Sequence, residues 1–264
     1  MVHAVRIVKW LAPGLVLLAW IGLWEALSEL GLLNPFFFPA PSKIASAALE
    51  LATEGFPDGI LIYIHIFATF GRVLSGFLLG SLAAVPAGIV IGSVPALDRV
   101  FANIITFGRS IAAISLLPLF IAWFGIGEAS KIALISLAVF WVVITYTIAG
   151  VKFVEPTLIK AAQSMDASAF TIFRAVTLPA ALPRIFAGLK LGLAVAFIVI
   201  IAAEMIATVN GLGALIQDAR TSFRTDITML GMLIIGALGY AMSYLLDLTG
   251  RRLMPWVRSP RERS

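Results

Sequence analysis

Five uncharged apolar runs and one nearly uncharged run dominate this 264-residue chain. They are Trp10–Trp24, Val73–Leu97, Ser110–Gly127, Ile132–Val151, Ile227–Leu246 and Leu191–Gln217, the last interrupted only by Glu204. Crossing roughly 30 Å of hydrocarbon takes about 17 to 25 apolar residues, and the first run reaches that length through Leu27, Leu30, Leu32 and Leu33. The runs therefore predict about six transmembrane crossings. Composition agrees, with 61% hydrophobic and 12% charged residues against the roughly one quarter charged that is usual in soluble domains. The short alternating segments of a β-barrel are not seen, which leaves helices as the way to satisfy backbone groups in lipid. An all-α integral membrane protein of one domain, residues 1–264, is expected.

Several function classes fall away at this point. With no cysteine there is no disulfide framework, thiolate nucleophile or Cys-based metal site. The net charge of +5 comes from basic residues at the ends of apolar segments, where the positive-inside rule accounts for them without a nucleic-acid partner. No Gly-x-x-x-x-Gly-Lys-Ser/Thr, His-Glu-x-x-His or Gly-x-Ser-x-Gly motif is present, so neither nucleotide hydrolysis nor intramembrane hydrolysis is expected, and no catalytic or metal-binding residue is assigned. Thirteen of the 19 Lys and Arg fall on one side if both termini are cytoplasmic, including a basic tail at 251–264 with Arg258, Arg261 and Arg263. The first run, preceded by Arg6 and Lys9, reads as an anchor because no small-x-small cleavage site follows it.

Within the spans, Gly76, Gly80, Ala84, Gly88 and Gly92 recur every four residues, as do Gly188, Gly192 and Ala196, which lets neighbouring backbones approach closely. Pro86 and Pro118 each remove a backbone hydrogen bond and allow a kink within a span. On the outer side, Ser42 is placed to cap an amphipathic helix whose apolar members are Ile44, Ala47, Ala48 and Leu51, with Glu50 and Glu54 on its wet side. Arg72, Glu128, Lys131, Arg220 and Arg224 are expected at that surface, where solvated loop positions or contacts with another protein are both open. Glu204 is the one carboxylate deep in an uncharged run, either part of a pathway or gate or a hydrogen-bonding group. Arg109 is expected at the inner entry to the third span, to attract an anion or to snorkel toward the headgroups. His65 is expected at the interface and not in catalysis.

Between the fourth and fifth spans lies "VEPTLIKAAQSMDASAFTIFRAVTLPAALPR", residues 154–184. Pro156 suits the first turn of a short helix, Asp166 breaks it, and Ser168 can cap a second helix over Ala169–Val176. Pro179 and Pro183 are expected to stop that helix before the next span. Phe170, Ile172, Phe173 and Val176 are too apolar for a free loop in water. They must be covered by the chain's own helix ends, by lipid headgroups, or by a soluble partner.

This stretch resembles the cytoplasmic coupling loop of ATP-binding-cassette importer permeases, with Ala161, Ala162, Leu178 and Pro179 matching its Glu-Ala-Ala and Leu-Pro elements. "LLPLFIAWFGIGEASKI" at 116–132 and "AAEMIATVNGLGALI" at 202–216 resemble the nitrate, sulfonate, taurine and bicarbonate branch, and the likeness runs in order over residues 36–250. Lys160 stands where the family usually has Glu, and Asp166 where it usually has Gly at a turn needing a left-handed backbone. The resemblance implies a permease with a cytoplasmic coupling-helix loop formed by Lys160, Ala161, Ala162, Asp166, Ser168, Phe170, Phe173, Leu178 and Pro179. It further implies a cytoplasmic ATP-binding subunit that uses the ATP, a periplasmic or extracellular substrate-binding protein, a second permease copy as a homodimer, and a bacterial inner membrane location. No cofactor is expected on this chain. The imported solute would be a small anion such as a sulfonate, taurine or nitrate, with Glu204, Arg109 and Pro118 as pathway or gate candidates. A stand-alone secondary transporter or channel is the alternative, disfavoured because Glu204 nearly stands alone as an intramembrane charge.

Overall fold

The computed structural model describes residues 2–256, and all regular structure there is helical. In order these are α1 (Val2–Glu29), α2 (Pro41–Thr53), α3 (Ile62–Ser93), α4 (Pro95–Ser110), a 3-10 turn (Ala113–Leu116), α5 (Leu117–Phe124) and α6 (Glu128–Lys152). There follow α7 (Pro156–Ser164), α8 (Ala169–Ile172), a π-helical turn (Phe173–Thr177), α9 (Leu178–Ala207), α10 (Leu212–Thr221) and α11 (Thr225–Leu253). Four segments are long and apolar enough to cross a bilayer, namely α3, α6, α11 and the stretch from α8 through α9. The pair α4 and α5, bent by 81°, makes a fifth. The tail beyond Trp256, with Arg258, Arg261 and Arg263, lies outside the described residues.

α6 is the central helix because glycines on both neighbours admit it. A Cβ at Gly76 of α3 would lie 2.6 Å from the Ile135 Cβ, and one at Gly88 would lie 2.7 Å from the Thr147 Cβ, so the expected stripe is a contact line between α3 and α6. On the other side Gly192 of α9 meets Val143, and Gly150 of α6 meets the Ala181 carbonyl. Val73, Leu134, Val139, Val143 and Ile200 are fully buried along these seams. A second, smaller core closes one end, where Ile44, Ala47 and Leu51 of α2 pack on Leu212, Leu215 and Ala219 of α10 and on Ile227 of α11.

Several element boundaries differ from expectation. The second span starts at Ile62, eleven residues before Val73, so Arg72 and His65 are helical and buried instead of exposed at a surface. The fifth run does not continue to Gln217: α9 ends at Ala207, and Gly211 at φ 130° turns the chain into α10. Pro118 lies in the first turn of α5 and kinks nothing, because the bend falls at Ile111 and Ala112. Pro179 and Pro183 do not stop a helix, since the chain is helical from Ala169 to Ala207 through the π-helical turn. Pro179 falls in the first turn of α9, where a missing N–H costs little, and Pro183 is carried inside it. Ser42 does not cap α2, because it is Glu25 of α1 whose carboxylate accepts from the Ser42 N–H at 3.0 Å and the Ser42 hydroxyl at 2.6 Å. The N-terminus of α2 is thereby capped from another helix.

Candidate functional site

The loop at 153–177 carries the expected local geometry. Pro156 opens α7, and Asp166 adopts φ 54°, the left-handed conformation that the turn requires and that Asp tolerates. The Ser168 hydroxyl accepts from the Thr171 N–H at 3.2 Å and so caps α8. No side chain from Pro156 to Thr177 is buried. Met165 is 83% exposed and Phe170 69%, with Leu158 and Phe153 exposed beside them. Lys160 and Ala161 are exposed, while Ala162, Phe173, Leu178 and Pro179 are half-buried. Arg184, stacked over the Phe153 ring at 4.4 Å and donating to the Ala149 carbonyl at 3.1 Å, fastens the loop's start to the helix ends. The chain's own helix ends therefore cover this apolar face only in part, leaving Ile172, Phe173 and Val176 half-buried and Phe170 exposed.

The opposite end is built in the reverse manner. Arg72 (2% exposed) of α3 and Glu204 (1% exposed) of α9 pair at 2.6 Å. Arg72 also donates to the Glu128 carboxylate at 2.6 Å, to the Asn210 carbonyl at 2.8 Å and to the Asn210 Oδ1 at 2.7 Å. Glu204 in turn accepts from the Thr69 hydroxyl at 2.9 Å and from the Gly213 N–H at 3.0 Å. A Cβ at Gly211 would lie 2.5 Å from the Glu204 carboxyl, so the turn into α10 needs glycine for space as well as for its φ. His65 joins the same turn to the loop before α3: its Nε2 lies 3.1 Å from the Phe56 carbonyl, and its Nδ1 lies 2.9 Å from the Gly211 carbonyl and 3.1 Å from the Gly211 N. Lys131 is buried 3.9 Å from Glu128, not solvated. This network ties α3, α6, α9 and α10 together. Outside the spans, Arg224 grips Glu50 with two bonds of 3.0 and 2.7 Å and joins α2 to α11.

Sequence reasoning placed Glu204 as a candidate but missed its partners. The signal was available, since His65, Thr69 and Arg72 fall at i, i+4 and i+7, one polar face on an otherwise apolar helix.

Arg109 is not at the entry to a span. The first turn of α4 is tied to the last turn of α6 by Asp98 and Lys152 at 2.7 Å, whereas Gly108 packs against Trp141, halfway along α6. Arg109 thus stands at mid-span height, exposed, immediately before the break at Ile111. No His or acidic cluster able to hold a metal is found among the described residues.

With this geometry in hand, comparisons with known proteins are decisive. Residues 76–259 match the family of binding-protein-dependent transport system inner membrane components. The chain belongs to this family. The taurine transport system permease protein of Escherichia coli (strain K12) is 37% identical over 88% of this chain and 85% of its own length. A Bacillus subtilis (strain 168) permease protein assigned to aliphatic sulfonates transport is 30% identical over 90% and 85%. The riboflavin transport system permease protein of Chloroflexus aurantiacus is 28% identical over 98% and 95%. Among solved structures, an inward-facing MetNI methionine transporter superposes with a TM-score of 0.63 at 19% identity, covering 72% of this chain and 94% of that one. The permease is a multi-pass inner-membrane component of an ATP-binding-cassette importer, and not an enzyme.

Proposed function

We propose that this permease, a single domain over residues 1–264 with α1 as its sixth crossing, imports a small anionic solute of the sulfonate or taurine kind. In this reading both termini and the 153–177 loop are cytoplasmic, and α10 faces outward toward a separate substrate-binding protein. A second copy completes the pathway, and a separate ATP-binding subunit hydrolyses the ATP. Lys160, Ala161, Ala162, Asp166, Ser168, Phe170, Phe173, Leu178 and Pro179 form the coupling surface. Glu204, Arg109 and Pro118 belong to the pathway or its gate.

One observation carries the reading: α7 and α8 present Leu158, Met165 and Phe170 to solvent with no side chain between Pro156 and Thr177 buried. Shifting a two-state bundle from mostly one form to mostly the other takes on the order of 5 kcal/mol of differential binding. Full burial of an apolar side chain of this size stabilises by about 1.5–3 kcal/mol, so two or three of them in a partner's cleft reach that scale. The short connections at Asp166 and the unbroken run from α8 into α9 make the pair stiff enough to transmit it. Expressed with its companion proteins, the permease copurifies with an ATPase, and Phe170→Asp lowers recovery of that ATPase at least about tenfold while the permease's own melting temperature stays put. Solute uptake by the permease alone in liposomes, at the rate of the full assembly, would instead favour a stand-alone transporter.

A further inference from the structure

α4 has a packed side, an exposed apolar stripe of Val100, Ile104 and Phe107, and an exposed polar stripe. Leu97, Ile105 and Gly108 turn toward α3 and α6, whereas Arg99, Asn103, Thr106 and Ser110, spaced i, i+4, i+7 and i+11, are exposed on the opposite side. The Thr106 and Ser110 hydroxyls donate to their own helix, to the carbonyls of Ala102 and Thr106, and would tolerate lipid. Asn103 and Arg109 have no hydrogen-bond or ion-pair partner among the described residues. Arg109 stands level with Trp141, at half the height of α6, roughly 15 Å from either hydrocarbon surface and beyond the snorkelling reach of one side chain. Directly after it the span breaks by 81° at Ile111 and Ala112, both exposed. Irregular backbone at that depth occurs only where protein buries it or where it lines a water-filled cavity.

The geometry points to the polar stripe of α4 as one wall of the aqueous path, with Arg109, roughly 60° round the helix from Thr106 and bordering the stripe's deep end, as the group that holds the translocated anion. This rests on the proposed permease assembly, whose second copy closes the path, and adds to it a specific binding residue. A lipid phosphate is not the ligand, since headgroups do not reach mid-depth.

The absence of cysteine from the chain makes the test direct. Single cysteines replace Asn103, Ser110 or, as a surface control, the exposed Thr53, in the complete assembly held in lipid nanodiscs. Each is treated with an anionic and with a cationic methanethiosulfonate, the sulfonatoethyl and trimethylammonioethyl reagents. Modification is expected at Asn103→Cys and Ser110→Cys, with an anion-to-cation rate ratio at Ser110→Cys about tenfold above that of Thr53→Cys, and with the excess lost when Arg109→Gln is added. Failure of both α4 positions to react while Thr53→Cys does, or reaction with the control's charge ratio, overturns the proposal. Every variant is checked for ATPase copurification. Loss of the ATPase from the unsubstituted assembly itself counts against the proposed function, whereas intact assemblies with unreactive α4 thiols count against this site alone.

Discussion

The two ends of the bundle solve opposite problems. Near α10, Arg72 and Glu204 are removed from solvent and held by internal partners, among them the Thr69 hydroxyl and the Gly213 N–H. Near α7, apolar side chains of similar bulk stand exposed with nothing of their own chain over them. An end whose contacts are internal holds four helices in register whatever binds it. An end whose contacts are missing has its energy to gain from a partner. The contrast shows that burial inside one chain and exposure on it can be equally specific statements about function.

The comparison breaks most visibly at Arg72. Arg72→Met leaves Glu204 buried without its cation and is expected to destabilise the bundle by about 3–5 kcal/mol, read as a lowered unfolding midpoint in detergent. Arg72→Met with Glu204→Leu together should recover most of that loss, since neither charge then remains alone. If the single and double variants melt together, the pair is not the brace described here. Phe170→Asp should show the reverse pattern, an unchanged midpoint with lost ATPase. Next in size, Gly88→Leu forces a side chain against Thr147 and is expected to cost about 1–3 kcal/mol, whereas Gly236→Leu, with open space around it, should cost less than half as much.

The smallest effect is expected at Glu50. The two bonds from Arg224 hold its carboxyl below the usual carboxylate range. A carboxylate lowered on folding adds stability that is present above its unfolded value near 4.3 and fades as pH falls through the lower folded value. Acidification below about pH 4 should therefore loosen α2 from α11 in the native permease, and Glu50→Gln should remove that pH step. Because the pair is partly exposed, the change stays under about 1 kcal/mol and shrinks in salt.

Much of this was legible in the residues. The glycine stripe at 76–92 marked a closely packed side of α3 without saying which helix meets it, and the Pro156, Asp166 and Ser168 signals gave the loop its turn and cap, because both depend on local sterics. What escaped notice depends on contacts between distant segments. Ser42 carries the right chemistry for a cap, but Glu25, seventeen residues earlier, performs the role. Counting uncharged residues trimmed α3 at Val73, since a buried arginine paired across 132 residues looks the same in sequence as one at a surface. The same counting placed Arg109 at an entry, when α4 had already climbed half the span before it. Pro179 misled because a π-helical turn directly before it absorbs what a proline would otherwise interrupt, and Pro183 because α9 carries it in its interior.

Backbone hydrogen exchange of the assembled transporter, with and without its ATPase, tests the account most directly. Amides of residues 156–177 should slow severalfold when the ATPase is bound, while those around Glu204 and Gly213 stay equally slow in both states. Protection that appears elsewhere on the permease, with 156–177 exchanging at the free rate beside a bound ATPase, would contradict it.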